Sequence, residues 1–432
     1  MQYPGQLEIQ PLANVPCKRV HVPGSKSITN RALVLAALAG RKHPCELWGA
    51  LRSEDTEIMV AALQALGFHV ESSSEDWPTT SLTVRNPNPD RIIPARNADL
   101  FVGNSGTSMR FLTALVSLGQ GKYRLDGVPR MRERPIGDLL AALNQLDGWA
   151  LTQDGTGYPP VIVEADGLHG GSVSIKGDVS SQFLSGLLMA SPLANVDVAI
   201  DVDGPLVSRP YVDMTVAMMR EFGARLSTEP TGFRIPGGQQ YELRRYAIEP
   251  DASAASYFWG AAAITGGEVG VEKLTSKSLQ GDLRFVDLLE EMGCQVVRTD
   301  SGITVHGGHL VGIDVDMNDI SDTVMTLAAV ACFADGPTII RNVAHIRHKE
   351  TDRLAALATE LRRIGVGIEE RADGLTITPA PMHGAVVQTY NDHRMAMSLA
   401  LVGLKIPGIV IDNPGCVAKT YPHFFDDLEE LR

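Results

Sequence analysis

"GSKSITNRALVLAALAG", residues 24–40, gathers Gly, two Ser, a Lys and an Arg into its first eight residues and then runs into a helix that is apolar on every side. A helix with no polar face must be enclosed by other elements. At about a dozen residues it is also too short for a bilayer, which needs ~20. Its polar opening supplies N-cap side chains, and the free N–H groups at such an end carry about half a positive charge that favours an anion.

The same form recurs five times: "GNSGTSMRFLTALVSLG", "GDVSSQFLSGLLMASPLA", "DASAASYFWGAAAITGG", "DISDTVMTLAAVACFADG" and "NDHRMAMSLALVGLKIPG". The openings fall near Ser25, Ser105, Ser180, Asp251, Asp319 and Asn391, between 68 and 80 residues apart. A recurrence at a fixed long period predicts one supersecondary unit used repeatedly. About 30 residues after each opening comes a second helix, this time amphipathic. "RPIGDLLAALNQLDGWAL" sets Ile136, Leu139, Leu143 and Leu146 on one face, and "TDRLAALATELRRIGVGI" repeats this with Leu354, Leu357, Leu361 and Ile364. Five of these helices are expected to end at a glycine cap (Gly67, Gly148, Gly223, Gly293, Gly365) and to run into a strand. The sixth, "HFFDDLEEL", has no chain left for a strand, which the N-terminal "LEIQPL" is free to supply.

The pattern predicts an α/β protein of two lobes, an inside-out α/β barrel of six units with three per lobe. One lobe spans residues 23–248 and the other joins 1–22 to 249–432, with crossings near Pro23 and Pro250. A length of 432 residues also argues for two cores rather than one.

Charge narrows the partners. With 38 Lys+Arg against 51 Asp+Glu the net charge is −13, which disfavours a nucleic-acid or anionic-membrane partner but leaves room for a basic cleft. The five scattered cysteines, without a CxxC, read as reduced thiols, and the N-terminus has no signal-peptide pattern, so the cytoplasm is the expected compartment. "GSKS" lacks the spacing of an ATP-binding Gly-rich loop, and one His beside one Asp in "YNDHR" is poor evidence for a metal. Neither a cofactor nor a metal is expected.

The helix openings and adjacent loops carry Lys26, Ser27, Arg31, Asn104, Gly106, Thr107, Arg110, Ser180, Ser181, Gln182, Asp322, Asp392, His393 and Arg394, with Arg130, Arg132 and Arg134 in "PRMRERP", Lys349, Glu350 and Arg353 in "HKETDR", and Lys419. Each has a plain alternative: Ser, Asn and Asp as caps, loop cations in solvent, Glu350 in a solvated ion pair. The repetition of polar clusters at one place in every unit, denser than capping needs, points instead to a substrate with phosphate and carboxylate groups. Asp322, expected to open a buried helix, and Glu350, set among cations, are the acid/base candidates.

"PGSKSITNRAL", "GNSGTSMR", "PRMRERPIG", "GDVSSQFLSGLLMASPLA", "SRPYVDMT", "EPDASAASYF", "KETDRL", "YNDHRMAMSLAL" and "AKTYP", in this order across nearly the whole chain, resemble the 5-enolpyruvylshikimate 3-phosphate synthases. The resemblance implies two lobes of three repeats closing around substrate. It implies transfer of the enolpyruvyl group of phosphoenolpyruvate to the 5-hydroxyl of shikimate 3-phosphate, with release of phosphate, in chorismate and aromatic amino acid synthesis. Carried over by motif, Lys26 touches both substrates. Ser27, Arg31, Ser180, Ser181, Gln182, Ser208, Tyr211, Asp322 and Lys349 hold shikimate 3-phosphate. Gly106, Arg130, Gln182, Arg353, Arg394 and Lys419 hold phosphoenolpyruvate. Asp322 takes the hydroxyl proton, and Glu350 protonates the methylene carbon and later removes that proton. A monomer acting on small molecules is implied, as is inhibition by glyphosate at the phosphoenolpyruvate site. Gly106 is expected to leave space there, so that a Cβ would crowd the inhibitor more than the substrate.

Two residues depart from the pattern. His345 stands where an Asn is frequent in the shikimate site and is given no role. Phe111 replaces a common Pro and is expected to alter the helix under Gly106. Two rivals remain: the related UDP-N-acetylglucosamine enolpyruvyl transferases, which typically use a loop Cys and lack "GSKS" and "KETDR", and an inactive protein that binds shikimate 3-phosphate. Intact Lys26, Asp322, Glu350 and Lys419 argue against the latter.

Overall fold

The structure, a computed structural model, describes residues 3–72 and 81–432. The chain forms two compact units, Lys26–Ile248 and Met1–Ser25 with Glu249–Arg432. The first crossing therefore falls after Ser25, not before Pro23. Its cause is local: Ser25 N–H donates to Glu249 O, Asp251 N–H donates to Pro23 O, and Gly24 bridges Pro250. Residues 23–25 are thereby tied to the segment that starts the other unit.

In the unit Lys26–Ile248 the helices are α1 (Lys26–Ala39), α2 (Glu54–Ala65), α3 (Gly106–Val116), α4 (Gly137–Gln145), α5 (Ser181–Ala190) and α6 (Arg209–Glu221). In the other they are α7 (Ala252–Thr265), α8 (Phe285–Glu291), α9 (Val324–Ala331), α10 (Arg353–Arg363), α11 (His393–Gly403) and α12 (Phe424–Glu429). The odd-numbered set follows the apolar repeats: α1, α3, α5, α7, α9 and α11 are buried along nearly their whole length. Thirteen of the fourteen residues of α1 are buried. The even-numbered helices bury one stripe; in α10 this is Leu354, Leu357 and Leu361, each fully covered.

Five four-stranded sheets share one plan: a parallel pair followed by two antiparallel steps. Asn97–Phe101 lies parallel to Gln120–Asp126, which pairs antiparallel with Val161–Asp166 and through it with Ala150–Thr152. The crossings complete two of these sheets. Cys17–Val20 adds a parallel strand to Glu268–Glu272, and Arg245–Ala247 adds one to Cys45–Trp48. The sixth sheet has three strands, with Gln6–Ile9 antiparallel to Ile409–Asp412. The N-terminal segment thus supplies a strand of this sheet.

Glycines in the left-handed region follow α2, α6, α8 and α10, at Gly67, Gly223, Gly293 and Gly365 (φ +88, +100, +107 and +100). After α4 the expected cap is displaced. Asp147 takes the left-handed turn (φ +62), and Gly148 N–H donates to Leu143 O at 2.8 Å. Asp tolerates that conformation, while Gly148 is needed for closeness: a Cβ there would lie 2.7 Å from Leu143 O.

Gly223 and Gly365 separate two costs. A Cβ at Gly223 meets nothing nearer than Glu242 N at 3.9 Å, whereas at Gly365 it meets Pro381 O at 2.7 Å. Gly223→Ala is expected to lose about 1–2 kcal/mol, the left-handed penalty alone, and Gly365→Ala more. Urea unfolding midpoints check this; equal losses would remove the steric part of the account.

Candidate active site

The unit Lys26–Ile248 joins the openings of its inner helices through polar side chains. Lys26, the first residue of α1, has its Nζ 3.6 Å from Asp55 Oδ2 in the first turn of α2, and both side chains are nearly covered. Arg31, one turn further along α1, is 2% exposed. Its Nε donates to Thr215 Oγ1 (2.6 Å), Nη1 to Ser27 O (2.9 Å), and Nη2 to Ser185 Oγ and Tyr211 O (both 3.2 Å). The guanidinium also lies 5.1 Å from the centre of the Phe111 ring, a cation–π distance. These neighbours are neutral, so burial lowers its pKa to about 10 and still leaves it a cation at neutral pH. Gln182 Nε2 donates to Thr107 Oγ1 at 3.1 Å, tying α5 to α3. Ser180 caps α5 by accepting from Gln182 N–H, and Ser105 caps α3 by accepting from Ser108 N–H, so the capping alternative is realised at both. Ser181 is buried, and Ser208 is buried in the left-handed region (φ +53) before α6.

One expectation changes here. Gly106 does not face open space: a Cβ on it would lie 2.4 Å from Arg134 Nη2 and 2.6 Å from Arg110 Nη1. Both arginines are buried, and Arg134 Nη1 also donates to Asn104 O at 3.2 Å. α3 runs unbroken over Gly106–Val116, with Phe111 buried under Arg31. In "PRMRERP" Arg130 pairs with Glu133 (2.8 Å) near the surface and Arg132 with Asp126 (2.6 Å). Arg134 is the arginine of that loop that packs on Gly106.

The other unit holds a buried salt-bridge network. Arg353, the first residue of α10, is 1% exposed. Its Nε donates to Asp392 Oδ2 (2.8 Å), Nη2 to Glu350 Oε2 (2.8 Å) and Nη1 to Asp322 Oδ1 (3.3 Å). Arg394, in the first turn of α11, donates through Nη2 to Asp322 Oδ2 at 2.7 Å and approaches Tyr257 OH and Ser253 Oγ at 3.4 Å. Ser253 in turn donates to the buried Asp282. Asp392 does double duty, since its Oδ1 caps α11 by accepting from Arg394 N–H. Removing one charge from such a buried set strands its partners, at about 3–5 kcal/mol. Among three carboxylates the Arg353 guanidinium is held well above its usual pKa despite burial, and burial pushes the Tyr257 hydroxyl up to about 12.

Asp322 does not open the α-helix. It sits in a 3₁₀ turn, Asn318–Thr323, kinked at Ile320 (φ −126°, ψ 37°), and α9 starts at Val324. The kink carries the carboxylate out to both arginines. Lys349 is half-buried immediately before Glu350, and Lys419 is buried at the end of a 3₁₀ segment, Pro414–Lys419, packed on α11.

The structure thus unites Asp322, Glu350, Arg353 and Arg394 with Asp392, which its place before an apolar helix had already marked, and adds residues that the sequence reading gave no role. Asp55 had no such mark, because an acid in the first turn of an amphipathic helix reads as a complement to the helix dipole. His345 belongs here too. Burial lowers its pKa to about 4, with Lys349 adding to the shift and Asp322 opposing it. Among the described residues no cluster of His, Cys, Asp and Glu could hold a metal, and no helix is long and apolar enough to cross a membrane.

The profile of the EPSP synthase (3-phosphoshikimate 1-carboxyvinyltransferase) family matches residues 15–428. The 3-phosphoshikimate 1-carboxyvinyltransferase of Trichormus variabilis is 51% identical over 409 residues, covering 94% of each chain. That of Shewanella denitrificans is 45% identical over 429 residues, covering 99% of each. EPSP synthase from Acinetobacter baumannii superposes with a TM-score of 0.81 at 25% identity, covering 99% of this chain and 98% of that one.

His345 generates a test. The folded side chain stays neutral down to about pH 4, whereas the unfolded chain takes its proton near 6.5. Between these values the unfolded state binds more protons, so this residue destabilises the fold as pH falls. His345→Asn should gain stability on the wild type between about pH 6.5 and pH 4. Urea unfolding across that range checks it; a constant difference would refute it.

Proposed function

The chain belongs to the EPSP synthase family, and we propose that the two polar clusters divide the family's reaction between them. The enzyme transfers the enolpyruvyl group of phosphoenolpyruvate to shikimate 3-phosphate, a step of aromatic amino acid biosynthesis. The related UDP-N-acetylglucosamine enolpyruvyl transferases and an inactive binding protein are not favoured.

Ser27, Ser180, Ser181, Gln182, Ser208 and Tyr211 bind shikimate 3-phosphate in this reading, with Lys26 touching both substrates and Lys349 serving the shikimate side. Arg31 acts mostly by position and charge. Four of its five N–H groups are engaged within the unit, leaving one on Nη1 for a ligand. Gly106, Arg130, Gln182, Arg353, Arg394 and Lys419 bind the phosphate and carboxylate of phosphoenolpyruvate.

The observation that carries the chemical assignment is Asp322 between two guanidiniums, with Glu350 on one of the same guanidiniums. Each Asp322 oxygen accepts from a different arginine, so the carboxylate is held at both ends. Asp322 accepts the 5-hydroxyl proton as that oxygen bonds to the central carbon of the enol, and Glu350 gives its proton to the methylene carbon. In the reverse sense Glu350 then takes a proton from the new methyl group while the carbon–oxygen bond to phosphate breaks. Arg353, Arg394 and Lys419 stabilise the departing anion in a dry setting, where fixed charges act most strongly. We take the enzyme to be a cytoplasmic monomer, which sedimentation analysis of the purified chain tests.

Phosphate release from phosphoenolpyruvate with shikimate 3-phosphate, against UDP-N-acetylglucosamine as competing acceptor, is the direct assay. Asp322→Asn should keep shikimate 3-phosphate affinity and lose ~10²–10⁴ in kcat, the usual worth of a general base; near-full turnover would remove Asp322 from the chemistry.

Gly106→Ala must displace Arg134 or Arg110, so the KM for phosphoenolpyruvate should rise together with the Ki for glyphosate. If only the Ki rises, the methyl acts on the inhibitor alone and the arginine contact is irrelevant.

A further inference from the structure

The turn that delivers Asp392 and Arg394 is held from outside the network. Tyr390 and Asn391 are consecutive non-glycine residues in the left-handed region (both φ +54). A bulky residue takes that conformation only when its surroundings impose it. What imposes it is Glu360, whose carboxylate is fully buried on α10. Its Oε1 accepts from Tyr390 OH at 2.7 Å and its Oε2 from Gln388 N–H at 3.0 Å. Arg363 on the same helix also pairs with it (2.8 Å) from a half-exposed position.

Helix α10 therefore grips one short segment at two points. At its first residue Arg353 binds the Asp392 carboxylate, and seven residues on, roughly 10 Å along the axis, Glu360 binds Gln388 and Tyr390. The grip fixes the left-handed pair between its points. With it are fixed the direction in which the chain enters α11, the place of Asp392 and the reach of Arg394 to Asp322. We infer that Glu360 and Tyr390 are positioning residues for the phosphoenolpyruvate-binding arginines: they act through the 388–392 turn without touching substrate. This rests on the reading that Arg353 and Arg394 bind phosphoenolpyruvate, and it adds the device that sets their spacing. A misplacement near 1 Å at such a site is worth up to ~10²-fold.

Tyr390 is 42% exposed and lies outside the buried core, so Tyr390→Phe removes one hydrogen bond without opening that core. In the full-length enzyme it should raise the KM for phosphoenolpyruvate about tenfold and leave the calorimetric affinity for shikimate 3-phosphate within twofold. Glu360→Gln keeps an acceptor for the Gln388 N–H and a donor for the Tyr390 oxygen, and should retain a KM close to wild type. Arg363→Ala, which removes only the exposed partner, should leave the KM unchanged. Hydrogen exchange of the 386–396 segment reads the grip without any turnover, and Tyr390→Phe should speed it about tenfold. A melting temperature that drops in Tyr390→Phe with an unchanged KM would overturn the inference, as would equal weakening of both substrates or unchanged exchange. If the wild type released no phosphate, the assignment of the reaction would fail, and the exchange result would still decide whether the grip exists.

Discussion

Helices without a polar face set the terms of this structure. α1, α3, α5, α7, α9 and α11 cannot meet water along their sides, so each needs sheet and amphipathic helix around it. That need explains the economy at the chain crossings. Sheets short of a strand recruit Gln6–Ile9, Cys17–Val20 and Arg245–Ala247 rather than leave a helix uncovered. It also confines the Lys and Arg residues of the inner helices, Lys26, Arg31, Arg110 and Arg394, to their N-terminal halves, toward the free N–H groups.

Concentrating polar groups at buried ends brings a desolvation problem that the two units solve differently. In one, Arg31 rests on hydroxyls, carbonyls and an aromatic ring, and burial lowers its pKa while sparing its charge. In the other, Arg353 is surrounded by Asp322, Glu350 and Asp392, which hold its pKa up. A cation on neutral dipoles keeps its attraction for an incoming anion. A cation among carboxylates keeps proton acceptors fixed beside it. Binding and proton transfer call for these two environments respectively.

The backbone leaves helical geometry where this second environment is assembled. The kink at Ile320 brings Asp322 out of helical register, and the left-handed pair Tyr390–Asn391 turns the chain into α11. Both lie within a few residues of side chains that meet Arg353 or Arg394, and Glu360 supplies the hydrogen bonds that hold one of them. Gly106 shows the same logic in the other unit, with the absent Cβ giving room to Arg134 and Arg110.

Periodicity along the chain determined the six units, the buried and the amphipathic helices, most of the glycine caps and the N-terminal strand, because apolar spacing and left-handed caps are local physics. It also marked the polar openings from which Asp322 and Arg394 come, beside the loop that carries Glu350 and Arg353. Tertiary structure alone decided which of those charges meet. Asp392 binds Arg353 across 39 positions, Asp55 lies by Lys26, and Arg134 rather than Arg130 packs on Gly106. Asp147 takes the turn expected of Gly148, while Gly148 is fixed by Leu143 O, which a Cβ there would meet. Local pattern is silent on such pairings, since a salt bridge or a close approach depends on distance in space, and spacing along the chain sets that distance only within one element.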